Sequence, residues 1–437
     1  MHDEVKNAFR MGIAKAGAIL QPLVHQFKEM HLVWTKQGDQ WRGEGQERPA
    51  LTTLFARSNQ DLDAAGREFN DLLRRYHPQY AGLVGFLGQR INLTHSPSYI
   101  LSKAMLTLWE RHHTFQPNGA AIEPLIQEFA DFIDNRQVRL RFIAQLLNYR
   151  MDADTLALVE GLTIRRLSEQ EVTDLHGGPV WLGFGARKFT GDEYVIEGEC
   201  NADLTFGNTP DAEPSILEEI RPKLDKAILA LRTFKEGRIG YDYVQPQPLT
   251  FSPIEPNYMI FGDLHVPRGQ YTISTDEMMP LRQHAQLIWS CSEPAMKLAC
   301  SRLADAQTRS SPQDQLLDAV VGLEALLLAG LRHEDRRGEL KFRFSLNYST
   351  LFNTPEERHH AFRVAKHLYD LRSIIAHGGL SEAATHPVGD ERLNLCDAAI
   401  RASAVLRDVI HRFLPQAGQH PYKNHQFWER GYFGLSS

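Results

Sequence analysis

The sequence predicts a predominantly helical protein, with an α+β N-terminal region followed by an all-α helical bundle. Apolar residues recur every three to four positions along much of the 437-residue chain, the period of a helix with one buried face. Short runs rich in aromatic and β-branched residues, bounded by Gly, Pro and Asn, gather between 162 and 274. After Thr275 helical spacing returns and persists with short breaks, as in a bundle.

In chain order, Val5, Phe9, Ile13 and Leu20 define the first helix, and Leu62, Ala65, Phe69, Leu72 and Tyr76 a second, with Ser58 as its N-cap. Ser98 to Phe115 and Ile122 to Tyr149 complete a helical stretch over 1–160. A mixed stretch, 161–275, follows. Its expected strands are Val180–Phe184, Glu193–Glu197, Leu249–Ser252, Met259–Phe261 and Tyr271–Ile273, and its one helix is Ser215–Phe234. Together 1–275 form a sensing or regulatory region. The bundle, 276–415, contains Asp276–Ala306, the almost wholly apolar and hence central Gln313–Leu331, Leu340–Phe352, Pro355–Ala376 and Asp390–Leu414. The tail, 416–437, holds Tyr422, Phe427, Trp428, Tyr432 and Phe433, a composition that docks on its own chain or on a twin subunit.

Composition narrows the function. The chain carries 48 Lys+Arg against 54 Asp+Glu, a net charge of −6, which excludes a general nucleic-acid coat. Residues 281–437 are net +2, so the acidity lies in the first 280 residues. Four scattered cysteines without CxxC spacing fit a reducing compartment, with neither a zinc site nor a disulfide framework. The N-terminus lacks a signal-peptide pattern, and the longest apolar run, Ala319–Leu331, is too short for a membrane span and is broken by Glu324. The expectation is a cytoplasmic protein with no membrane partner.

Few motifs carry chemistry. Gly262-Asp263-Leu264-His265 looks like one fragment of a metallophosphatase, but the companion Asp, Asn and His blocks are missing. His112-His113 and His359-His360 are adjacent on helices, so each pair points to different faces. No HExxH, phosphate-loop or dinucleotide-binding motif is present. Arg332 to Arg337 is a basic run mixed with acids, better suited to a solvated loop than to RNA phosphates. The form Arg, four to six residues, His occurs twice. Arg90–His95 has no helical frame. Arg372–His377 ends a helical pattern, with Gly378-Gly379 suited to a helix C-terminus.

The surroundings of this second motif resemble the Apea-like branch of the HEPN superfamily. The resemblance rests on Leu316 to Leu327, on Glu339 to Ser345, and on Tyr369-Asp370-Leu371-Arg372-Ser373 with Ala376-His377-Gly378-Gly379, and covers about the last third of the chain. Leu162 to Glu171 resembles a segment of the N-terminal parts of such proteins more loosely. The resemblance implies a HEPN helical bundle that forms a homodimer, with the Arg–His motifs of two chains facing one cleft. It further implies a metal-independent endoribonuclease with no cofactor, of the kind that cuts host or phage RNA and halts growth as a toxin in anti-phage defence. The catalytic residues carry over to Arg372 and His377, and Ser373 fills the polar position after the Arg.

Those side chains suit the reaction. RNA cut without a metal uses its own 2′-hydroxyl as nucleophile and leaves a 2′,3′-cyclic phosphate and a 5′-hydroxyl. Only His moves a proton near neutrality without a perturbed pKa. The forked guanidinium of Arg matches the charge that grows on the phosphoryl oxygens. Glu324, amid Val320, Val321, Leu323, Leu326 and Leu327, must be paired, and either Arg372 or another bundle residue is its partner. Tyr369 reads as core, and Asp370 receives no chemistry. Residues five apart on a helix lie about 140° apart, so Arg372 and His377 share a face poorly unless the helix ends, bulges or meets a twin. That geometry keeps open a catalytically silent dimerisation module, with the N-terminal region binding a ligand or partner. A catalytic N-terminal region ranks last, since no nucleophile, base or metal set assembles there.

Overall fold

The structure, a computed structural model, describes residues 1–38, 40–84, 90–91, 93, 97–176, 178–179, 193–206, 215–254, 259–260, 271–330, 340–378, 384–419 and 421–433. The chain is predominantly helical, with several small sheets. It divides into two compact units interleaved in sequence, Met1–Leu146 with Gly161–Leu224 and Tyr241–Gly262, and Leu147–Glu160 with Asp225–Gly240 and Asp263–Ser437. This differs from a single division near 275, because three segments before that point belong with the C-terminal helices. The expected strand Val180–Phe184, the fragment Gly262–His265, the run Arg332–Arg337 and half of Arg90–His95, its His95 included, lie outside the described residues.

The first unit opens with α1 (Asp3–Leu20), in which Val5, Phe9, Ile13 and Leu20 are all buried. Next come the hairpin β1 (Lys28–Gln37) and β2 (Gln40–Pro49), α2 (Leu51–Tyr76), the two-residue strands β3 (Leu83–Val84) and β4 (Arg90–Ile91), α3 (Pro97–His112) and α4 (Gly119–Asn135). Helices α1, α2 and α3 pack on one another. Their aromatic centre is Phe9, whose ring centroid lies 4.8 Å from Phe69 and 4.7 Å from Phe129. Helix α2 starts seven residues before Ser58, which is therefore a buried mid-helix residue and not an N-cap.

The expected helix Ile122–Tyr149 is corrected at Arg136, whose left-handed backbone (φ 53°) ends α4 and starts β5 (Gln137–Leu147). Val138, Leu140 and Phe142 of β5 point inward with the alternation of a strand. Antiparallel to β5 runs β10 (Tyr194–Asp203), itself paired with β8 (Leu162–Arg166), and β12 (Gly240–Pro248) with β13 (Met259–Ile260) extends the sheet beyond β5. The expected strand Leu249–Ser252 is not formed. The sheet ends at Pro248, and the Phe251 N–H turns to donate to Glu128 at 2.6 Å.

Helix α5 (Glu169–His176) packs on β1, β9 (Gly178–Pro179) pairs with β1, and β11 (Thr205–Phe206) pairs with β3. The segment Leu162 to Glu171 thus forms β8 and the start of α5. Its Arg165 lies 2.6 Å from both Glu171 and Glu197, so its charged residues hold the sheet to its helix. The division between units falls within α6 (Ser215–Phe234), the helix expected there.

The second unit gathers β6 (Tyr149–Met151) and β7 (Thr155–Val159), the end of α6, and β14 (Tyr271–Ile273), which runs parallel to β6. Helices α7 (Met278–Ser290), α8 (Pro294–Thr308), α9 (Pro312–Leu327), α10 (Leu340–Ser349) and α11 (Pro355–Ala376) follow. A short hairpin, β15 (His386–Val388) and β16 (Glu391–Leu393), then leads to α12 (Leu395–Phe413). The long helix expected from Asp276 to Ala306 is two, because Glu293 caps α8 by accepting from the Met296 N–H at 2.8 Å and Pro294 occupies its first turn. Likewise Asp390 to Asn394 belong to the hairpin region and not to the last helix.

Helix α9 is the centre of the bundle, packed by α8, α10, α11 and α12. Its buried Asp318 is neutralised by Arg302 and Arg309, both at 2.8 Å. Gly322 lets α12 approach, since a Cβ there would lie 2.6 Å from Leu406 Cδ2 and 3.2 Å from Arg302 Cβ. We expect Gly322→Ala to destabilise the protein by about 1–3 kcal/mol through overpacking, read as a lower midpoint in urea unfolding.

A second prediction concerns pH. His284 of α7 is buried against the Thr233 hydroxyl (2.8 Å) and the His411 ring (5.1 Å between centroids). Burial, helped by His411, depresses its pKa to about 3. The folded chain therefore keeps His284 neutral while the unfolded chain protonates it below about 6.5, so stability is full above that pH and falls as pH drops. The slope from this one group approaches about 1.4 kcal/mol per pH unit. Between pH 6.5 and 4.5, thermal unfolding of His284→Gln should depend less steeply on pH than that of the parent chain.

The aromatic tail docks on the bundle of its own chain. Tyr422 and Trp428 are buried, the latter on α13 (His425–Tyr432), and both rings lie against Phe413 at 5.3 and 6.0 Å. Among the described residues no helix is long and apolar enough to cross a membrane.

Candidate functional site

Helix α11 carries the Arg–His motif. Thr354 and Glu357 close a capping box at its start, Pro355 occupies its first turn, and Ala361, Val364, Ala365, Leu368 and Leu371 form its buried face. Arg372 follows Leu371 and turns toward α9, where its Nε lies 3.6 Å from Glu324 Oε1. Both side chains are half-buried, and the separation is that of an ion pair without a direct hydrogen bond. Arg372 Nε is buried and makes no hydrogen bond with a described residue.

Glu324 therefore has the partner that sequence required, and it is Arg372. Burial pushes the Glu324 carboxyl above the ordinary carboxylate range, while the Arg372 charge pulls it down. Tyr369 lies half-buried beside this pair, its ring 5.3 Å from Phe344, so it is a wall of the site more than core. Burial raises its hydroxyl pKa, and the Glu324 charge raises it further. Asp370 forms an ion pair with Lys341 of α10 at 2.6 Å.

His377 is the C-cap of the helix, exposed, with φ −99° and ψ 7°. Its N–H reaches the carbonyls of Ser373 and Ile374, both at 3.2 Å, and the Gly378 N–H donates to Ile375 O at 2.9 Å. Gly378 takes the left-handed conformation, φ 74°, that ends helices. Because α11 stays helical through Ala376, the five-residue spacing leaves the two motif side chains about 140° apart. The His377 side chain makes no hydrogen bond or ion pair with a described residue, and none joins it to Arg372. Ser373 is half-buried, and its hydroxyl makes no hydrogen bond with a described residue.

Arg372 and Glu324 are thus brought together, while His377 and Ser373 stand apart from them within one chain. Gly379 and Glu339 lie outside the described residues. Two neighbours escaped the sequence reading. Lys341, the second residue of α10, adds a cation next to Asp370. His367 sits on α11 with its pKa lowered by burial and by the positive charge of Arg363, with Asp370 opposing. The arrangement offers a fixed guanidinium on one side of a helix end and an accessible imidazole on the other. Among the described residues no group of three or more His, Cys, Asp or Glu side chains is placed to hold a metal ion. Comparison with known proteins finds no matching family model, no similar curated protein and no similar solved structure.

Proposed function

We propose that the chain is a HEPN-type endoribonuclease of the Apea-like kind, acting on RNA through Arg372 and His377 of two chains that share one cleft. The observation that carries this reading is the half-buried guanidinium of Arg372, braced by Glu324, near the end of the helix that presents an exposed His377. Arg372 binds the scissile phosphate and stabilises the phosphorane. His377 takes the proton of the 2′-hydroxyl and returns one to the leaving 5′-oxygen. Glu324 holds Arg372 through its charge, and Ser373 supports the positioning of the motif beside it. The physiological reading that follows is RNA cleavage in defence against phage, in the cytoplasm, under control of the N-terminal unit.

The 140° separation gives the second reading its support. If no twin chain completes the site, the bundle is a silent dimerisation module and the other unit binds a ligand or partner. The two readings separate in one assay, incubation of the purified chain with total RNA under conditions where it is dimeric. Cleavage that disappears in His377→Ala supports the first reading, and intact RNA after prolonged incubation supports the second.

A further inference from the structure

A cavity of about 310 Å³ opens on the bundle between the end of α9, α10 and the tail helix α13. That size lies at the lower end of the range for small-molecule sites, roughly 300–1,000 Å³. Its walls are mostly aromatic and apolar, with Phe342, Trp428 and Tyr432 prominent among them. Phe342 is 49% exposed, an unusual state for a phenylalanine, while Trp428 is fixed by donating its indole N–H to Tyr422 O at 3.0 Å.

Among the described residues, the polar groups of the cavity are engaged with one exception. Asn347 donates to Leu327 O at 2.6 Å and accepts from the Tyr432 hydroxyl at 2.5 Å. His425 pairs with Glu429 at 3.1 Å. Arg343, half-buried, has no hydrogen bond or ion pair with a described residue, although its charge acts on the Tyr432 hydroxyl. A cavity with aromatic walls and a guanidinium that no described residue engages fits a ligand that is flat and aromatic at one end and doubly charged and trigonal in its oxygens at the other. Arginine binds such an anion through two parallel N–H donors, and aromatic side chains accept a base of any sequence.

We propose that this cavity is a binding site for a free nucleoside monophosphate, with the base between Phe342 and Trp428 and the phosphate on Arg343. The site is separate from the Arg372–Glu324 pair and does not depend on the ribonuclease reading.

Isothermal titration of the full chain with adenosine 5′-monophosphate tests it. The expected result is saturable binding of one nucleotide per chain, unchanged in Arg372→Ala, at least tenfold weaker in Arg343→Ala and severalfold weaker in Phe342→Ala. Adenosine, inorganic phosphate and benzoate should each bind at least tenfold more weakly than the nucleotide. If Arg343→Ala fails to fold, Arg343→Lys keeps the charge and loses the fork, and should still weaken binding. Absence of saturable binding at millimolar nucleotide overturns the proposal. So does binding unchanged in both Arg343→Lys and Phe342→Ala, or benzoate binding as tightly as the nucleotide.

Discussion

Alanine at His377 is expected to lower RNA cleavage by about 10²–10⁴-fold, the range of a lost general acid–base group, while leaving the fold in place. His377 is exposed at a helix end and makes no side-chain bond to a described residue, so its removal should change stability by no more than about 0.5 kcal/mol. Arg372→Ala should lower cleavage by about 10²–10³-fold, as does the loss of one donor to a developing oxyanion. Arg372→Lys, which keeps the charge against Glu324 but not the forked donors, should remain well below the parent rate. A mixture of Arg372→Ala and His377→Ala chains reports how the site is shared. If Arg and His act across two chains, the mixed dimer regains part of the activity that each variant lacks alone. Activity retained by either single variant at the parent rate contradicts the assignment.

The largest expected effect on stability lies at Glu293. This buried carboxylate caps α8 through the Met296 N–H, accepts the Tyr422 hydroxyl at 2.6 Å and pairs with Lys423 at 2.5 Å. It therefore ties the aromatic tail to the bundle at one point. Glu293→Ala removes a helix cap, worth about 1 kcal/mol, and strands a buried phenol, worth about 1–3 kcal/mol more. The expected loss is about 2–4 kcal/mol in urea unfolding.

The pH dependence at Glu293 has a definite sign. Burial works against its ionisation, but the bonds from Lys423, Tyr422 and the Met296 N–H outweigh it and hold the carboxyl below the ordinary range. Its contribution is present above about pH 4.5 and is lost as the pH falls through the depressed value. Glu293→Gln should lower stability at neutral pH and remove this part of the acid sensitivity. Equal stability of parent and Glu293→Ala would show that the tail does not depend on this anchor.

Much of the C-terminal half was legible because its signals are local. Pro355 and Ala376 bound α11 as read, and the Ser311-Pro312 pair opens α9, since caps and helix-first prolines act through neighbouring backbone groups. The apolar character of α9 correctly placed it at the centre of the bundle. The hairpin β1–β2 was invisible for a physical reason: its residues are mostly half-exposed or exposed, with only Val33 reaching the core, so burial imposed no alternation to read. The strand β5 is hidden by its position: its alternating Val138, Leu140 and Phe142 continue the apolar spacing of α4, from which only Arg136 separates it.

At the site, sequence placed Glu324 in apolar surroundings and required a partner, but the choice between Arg372 and another cation depended on how α9 crosses α11. No local pattern holds that information. The overall charge of −6 excluded a general nucleic-acid surface, and the net +2 of 281–437 is compatible with a narrow RNA-cutting cleft between two chains. The interleaving of the two units was likewise hidden, because the pairing of β14 with β6 joins residues more than a hundred positions apart.

The central claim is cleavage of RNA by its own 2′-hydroxyl under the action of Arg372 and His377. The most direct measurement is end-group analysis of total RNA incubated with the purified chain in the presence of EDTA. The account predicts fragments bearing 2′,3′-cyclic phosphate and 5′-hydroxyl ends, formed at the same rate with and without the chelator. Intact RNA, or fragments that appear only when divalent metal is supplied and carry 3′-hydroxyl ends, would contradict it.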